Sequence, residues 1–148
     1  MQGIVYIKKT FFKKGVKIMA TWQVEFGLNS NSSDKVTALS KESIIKLSSA
    51  LPIGKSWHDD LTVYGELDGT CVCVWNNYDS VEISCRIDVS SLEEDVINAL
   101  VDFAKANNLT FVYNQKAVDT SSDSIKVILT NSPAYKFLEN PNVFFDNI

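Results

Sequence analysis

Acidic residues are missing from the first 24 positions of this chain, although 18 of them follow. Arginine occurs once, as Arg86, and histidine once, as His58. The six glycines are scattered singly, which excludes a P-loop, a dinucleotide fingerprint and a nucleophile elbow, all of which need glycines at short fixed spacing. A lone histidine lacks the companions of a zinc site. No apolar run reaches the length of a signal core or a membrane span, because lysines break the early apolar residues into short pieces. The three cysteines, Cys71, Cys73 and Cys85, are odd in number and crowd one strand-rich stretch. They fit buried thiols in a reducing compartment better than a disulfide framework, so cytoplasmic residence is expected.

What is present divides by charge. Residues 1–18 carry five lysines and no acid, whereas from Met19 onward nine basic residues face 18 acidic ones, a formal charge of -9. One reading of the basic segment is a cationic arm, with Phe11 and Phe12 resting on nucleic acid or anionic lipid. A second comes from the genetic code. Lys14-Gly15-Val16 is written AAR-GGN-GTN, which can contain AAGGAG, a bacterial ribosome-binding sequence, and Met19 follows where a start codon would stand. The expectation is that residues 1–18 are a basic leader, translated upstream sequence set aside before fold reasoning, and that residues 19–148 form a single domain. The 13 lysines against one arginine, with 12 asparagines, point to an AT-rich genome.

About 130 residues can bury roughly two-thirds of their unfolded surface and need no staples. Residues 22–27 alternate apolar and polar and predict a strand. Ser40 predicts a helix cap, with Leu39 and Ile44 at staple positions and Ile44, Leu47, Ser48 and Leu51 on one face until Pro52 and Gly54. Residues 61–66 and 71–75 predict a hairpin about Asp68-Gly69. Residues 81–89 give the clearest strand, with Val81, Ile83, Cys85, Ile87 and Val89 on one face and Glu82, Ser84, Arg86 and Asp88 on the other. A helix capped by Ser90 or Ser91 follows, its stripe running from Leu92 through Val96, Ile97, Leu100, Phe103 and Ala104. Strands at 109–113 and 125–129 and a short helix opened by Ser132-Pro133 complete the order β-α-β-β-β-α-β-β-α. The fold class expected is α+β, an antiparallel sheet with helices on one face and the other face solvated or used for binding.

Within Trp57-His58-Asp59-Asp60 the histidine sits among the residue types a general base or metal site would use, yet a structural place in a loop suits it better. Alternate residues Cys71 and Cys73 share a strand face at about 6–7 Å between Cα atoms, a poor disulfide distance, and packing accounts for them. The polar sheet face is the favoured binding surface. Glu82, Arg86 and Asp88 are expected near Tyr64, Glu66 and Trp75, with Asp59, Asp60 and Asp79 enlarging the acidic area, an aromatic and charged mixture typical of protein-binding hot spots. No catalytic residue, cofactor or metal is expected. The acidic body disfavours nucleic acid and membrane as partners and favours a basic protein, bound by a monomer or a homodimer.

A small, acidic, cysteine-poor α+β chain with the tail Ser132-Pro133-Ala134-Tyr135-Lys136-Phe137-Leu138-Glu139-Asn140-Pro141 resembles the immunity proteins of bacterial toxin systems, such as those of contact-dependent growth inhibition. That resemblance implies stoichiometric capture of a cognate, often cationic, toxin domain, with Glu82, Asp88, Asp59 and Asp60 steering the encounter and Tyr64 and Trp75 as anchors. The element order is also similar to that of dimeric secretion chaperones, which hold an effector segment extended. An enzyme using His58 with Asp59 or Asp60 is the third reading, and it requires a pocket converging on that histidine.

Overall fold

The computed structural model describes residues 22–32 and 34–139. The basic leader, and Phe144 and Phe145, which the sequence suggests as core anchors, lie outside them. Among the described residues the elements are β1 (Gln23–Ser30), α1 (Lys41–Ala50), β2 (Leu61–Gly65), β3 (Cys71–Asn76), β4 (Val81–Asp88), α2 (Glu94–Ala106), β5 (Leu109–Tyr113), β6 (Lys116–Val118), α3 (Ser122–Thr130) and α4 (Pro133–Glu139). The strands form one antiparallel sheet in the order β2-β3-β4-β1-β5-β6. The fold class is α+β. Among the described residues no helix is long and apolar enough to cross a membrane.

Alternation sets the two faces. Val24, Phe26 and Leu28 of β1, with Ile83, Cys85 and Ile87 of β4, turn to the side where Leu47 of α1, Leu100 and Phe103 of α2 and Leu129 of α3 pack, all nearly inaccessible to solvent. Phe26 is fully buried and meets the Phe111 ring edge-on at 5.7 Å. Burial of such side chains contributes about 1.5–3 kcal/mol each and is what holds helices this short in place.

The helix ends carry their own chemistry. The Ser40 hydroxyl accepts the Ser43 N–H, and Leu39 and Ile44 pack against the core beside it, as expected of a capped start with a staple. Asn107, which follows α2, accepts the Ser40 N–H at 2.8 Å through Oδ1 and donates from Nδ2 to Ser43 Oγ at 2.9 Å, so one side chain ties the end of α2 to the start of α1.

Three expectations are corrected. Residues 125–129 are helical: Ser121 accepts the Ser124 N–H and caps α3, and Ile125 and Leu129, one turn apart, are the buried pair. The run Ile125-Lys126-Val127-Ile128-Leu129 has strand-like residues but a helix-like buried spacing, and tertiary packing decides. The last strand is instead β6, joined to β5 by a two-residue turn in which Asn114 and Gln115 have φ of 50° and 65°, the left-handed pair that matches strand twist. Finally, α2 begins later than its serines imply. Glu93 occupies the N-cap position without a side-chain cap, Ser90 bonds back to Asp88, and Leu92 stands outside the helix, exposed.

The face opposite the helices is not a simple solvated surface. Ser84 and Arg86 are 4% and 2% exposed, and Leu61, Val63, Cys71 and Cys73 form a second small cluster there. The β2–β3 turn curls onto this face and offers its carbonyls. Gln23 Nε2 donates to Leu67 O at 2.8 Å and Gly69 O at 2.6 Å, Trp22 Nε1 to Asp68 O at 2.7 Å, and Arg86 Nη1 to Leu67 O at 3.3 Å.

Candidate functional site

Antiparallel pairing brings the start of β2, the end of β3, the start of β4 and the end of β1 to one end of the sheet. Three loops meet there. The chain between α1 and β2 first runs along the β2 edge, where the Gly54 N–H donates to Val63 O and the Gly65 N–H to Pro52 O, both at 2.8 Å. Gly54 is required for this approach, since a Cβ would lie 2.2 Å from the Gly65 carbonyl oxygen. The chain then turns on side-chain bonds: Ser56 Oγ donates to His58 O at 2.8 Å, and the Asp60 N–H donates to His58 Nδ1 at 3.0 Å.

That turn presents rings. Trp57 lies edge-on to Trp75 with centroids 5.8 Å apart, and His58 is tilted against Trp75 at 5.3 Å. Trp57 remains 56% exposed, and Tyr78, at the tip of the β3–β4 turn, is fully exposed. A large exposed aromatic immobilised by a second ring is already ordered before any partner arrives, which removes part of the entropic cost of binding. Asp59 and Asp60 follow Trp57 and His58 in the same turn, Asp79 follows Tyr78, and Glu82 stands opposite Trp75 in the β3–β4 ladder, all exposed. Lys35 Nζ lies 3.0 Å from Asp79 Oδ2 and joins the loop after β1 to the β3–β4 turn, an exposed pair worth less than about 1 kcal/mol.

Between that loop and the strands runs a groove of about 680 Å³. Trp75 and Glu82, directly opposite each other in the β3–β4 ladder, form one wall, while Asp34 and Lys35 line it from the loop after β1. Gly27 and Ser84, opposite each other in the β1–β4 ladder, line its recessed part on the same sheet face. Ser84 Oγ is buried and has no hydrogen-bond partner among the described residues. No hydrogen bond or ion pair engages the Glu82 carboxylate among the described residues.

The residues expected at a single surface are thus divided. Asp59, Asp60, Trp75 and Glu82 come together at this end. Glu66 and Asp88 line a smaller groove of about 310 Å³ towards the other end of the sheet, since six strand residues, about 20 Å, separate Asp88 from Glu82. Tyr64 is corrected outright. Its register opposite Val72 turns it to the helix side, where it is 7% exposed and burial pushes its hydroxyl pKa upward. Arg86 is likewise interior, opposite Glu25 across the β1–β4 ladder, and offers a partner no surface.

His58 serves the turn that holds Trp57, and neither groove is lined by it. Among the described residues no three His, Cys, Asp or Glu side chains gather where a metal ion could be held. The Sγ atoms of Cys71 and Cys73 are 3.9 Å apart, and all three cysteines are buried thiols outside any disulfide. The hydrogen bond with Cys73, and then burial, push the Cys71 thiol well above its ordinary pKa, which disfavours the nucleophilic thiolate. Trp57, Tyr78, Gly27 and Ser84 also lie at this end of the sheet and are not among the surface residues expected from the sequence. No protein-family model, curated protein or solved structure matches this chain.

Proposed function

We propose that this chain is a non-catalytic binding module that captures a basic polypeptide in the cytoplasm, as an immunity protein captures its toxin. The observation that carries the reading is Trp57, more than half exposed and edge-on against Trp75, with the exposed carboxylates Asp59 and Asp60 in the same turn and Glu82 opposite Trp75 in the ladder. Aromatic anchors of this kind dominate protein interfaces, each worth about 2 kcal/mol or more on truncation. The surrounding carboxylates accelerate the encounter with a cation and lose that effect as salt rises. A base-catalysed reading through His58 has less support, because its Nδ1 is occupied by the Asp60 N–H and the ring leans on Trp75.

The test begins with a partner captured from the native cell, purified, and assayed for toxicity with and without this chain. The reading expects an equimolar complex that suppresses the toxic activity, with affinity reduced about 30-fold or more by Trp57→Ala. A complex indifferent to that substitution, or conversion of a small molecule by the chain itself, would overturn it.

A further inference from the structure

The geometry points to a specific occupant for the groove beside Trp75: we infer that it is a receptor for an arginine side chain presented by the partner polypeptide. This rests on the reading of the chain as a capture module and adds the chemistry recognised. Four features converge on it. The wall pairs the half-buried Trp75 side chain with the exposed Glu82 side chain directly across the ladder, an aromatic and an anion on neighbouring strands. A guanidinium is the cation that both stacks on an indole and donates in its own plane to a carboxylate. Among the described lining side chains, Lys35 is the one cation, and it pairs with Asp79.

One buried hydroxyl on this face lacks a partner among the described residues and can accept an N–H. Ser84 Oγ is buried and unpartnered, and leaving a buried polar group so costs about 1–3 kcal/mol. Asn29 also lines the groove and adds a side-chain carbonyl. With Glu82 these make a set of acceptors, and a guanidinium brings five N–H donors and no acceptor.

Gly27 supplies the fourth feature. A glycine inside a strand weakens it by about 0.5–1 kcal/mol and often marks a close approach by a ligand. The backbone here does not demand glycine. A Cβ at this position would sit 3.7 Å from both Asn29 Oδ1 and Val112 Cβ, an ordinary contact, and φ is not in the left-handed region. The fold therefore tolerates a side chain where the sequence has none, and what its absence preserves is the space beside Ser84. At about 680 Å³ the groove has room for an arginine side chain together with flanking backbone.

The test is titration of the whole chain with a blocked glycine-arginine-glycine peptide, followed through the Trp75 indole N–H and the amides of residues 27–29 and 82–84. The citrulline peptide, of the same shape but neutral, is the control. The arginine peptide is expected to bind with Kd on the order of 1 mM and the citrulline peptide at least about tenfold more weakly. Glu82→Gln should weaken the arginine peptide about tenfold, and Gly27→Val should abolish its binding. Should Gly27→Val fail to fold, Glu82→Gln decides alone. Equal binding of the two peptides, shifts confined to other surfaces, or no shifts up to several millimolar would overturn the inference. If that happens while the partner complex still depends on Trp57, the capture reading stands without the arginine receptor; a complex indifferent to Trp57 removes both.

Discussion

The two faces of this sheet are built from the same strands by opposite means. On the helix side, Val24, Phe26, Leu28, Ile83, Cys85 and Ile87 meet helices that exclude water completely, and shape does the stabilising. On the other side the same strands present Glu25, Gly27, Ser84 and Arg86, and what orders that face is a turn offering carbonyl oxygens. Hydrophobic packing tolerates few vacancies, whereas the second face contains an unpartnered hydroxyl and a glycine that the backbone does not require. Departures from optimal stability of this kind concentrate where a surface is kept for another molecule. The proposed capture surface lies on the second face, at the end where its groove opens.

Breaking the first face should have the largest effect. Phe26→Ala removes a fully buried ring with a ring neighbour on Phe111, and unfolding by urea should show a loss of about 3–5 kcal/mol. Trp57→Ala should produce the opposite pattern, with stability changed by no more than about 0.5 kcal/mol and partner binding weakened by about 2 kcal/mol or more, since its ring is mostly in solvent. Ser84→Ala sharpens the contrast further. Removing an unsatisfied hydroxyl should stabilise the chain by up to about 1 kcal/mol while weakening whatever the groove holds.

A smaller effect appears with pH. Cys71 and Tyr64 have folded pKa values raised above their ordinary 9.0 and 10.0, Cys71 by its bond to Cys73 and then by burial, Tyr64 by burial alone. Each stays neutral in the folded chain where it would ionise in the unfolded one, so its contribution is complete below the ordinary value and lost as pH rises towards the folded one. Unfolding midpoints should therefore be insensitive to these groups at neutral pH and fall from about pH 9 upward, with Cys71→Ala and Tyr64→Phe each reducing the fall. A midpoint that stays level to pH 11 would contradict the burial described.

Much of the fold is legible in the sequence because its signals are local. The alternation of residues 81–89, the Ser40 cap and the hairpin about Asp68-Gly69 each follow from spacing alone, and β4, α1 and the β2–β3 pair appear where those signals place them. The reading fails where two local signals compete. Residues 125–129 pair strand-like composition with a helical cap, and the Asn114-Gln115 turn lacks the glycine that marks such hairpins. For the site, the register of β2 was the missing quantity. Alternation says that Tyr64 and Val63 face opposite ways but not which way, and Tyr64 proves to be the one turned into the core. Ser84 could have been suspected, since it stands two residues from Glu82 on the same strand face, but nothing in a sequence reveals an unmade hydrogen bond.

The proposed role of the end of the sheet that carries Trp57, Asp59 and Asp60 is capture of a basic polypeptide. The most direct test is the association rate of the purified partner with the wild-type chain and with Asp59→Lys/Asp60→Lys, across a range of salt. The account predicts that the variant associates at least about tenfold more slowly at low ionic strength and that the gap closes as salt rises. Identical rates at every ionic strength would contradict it.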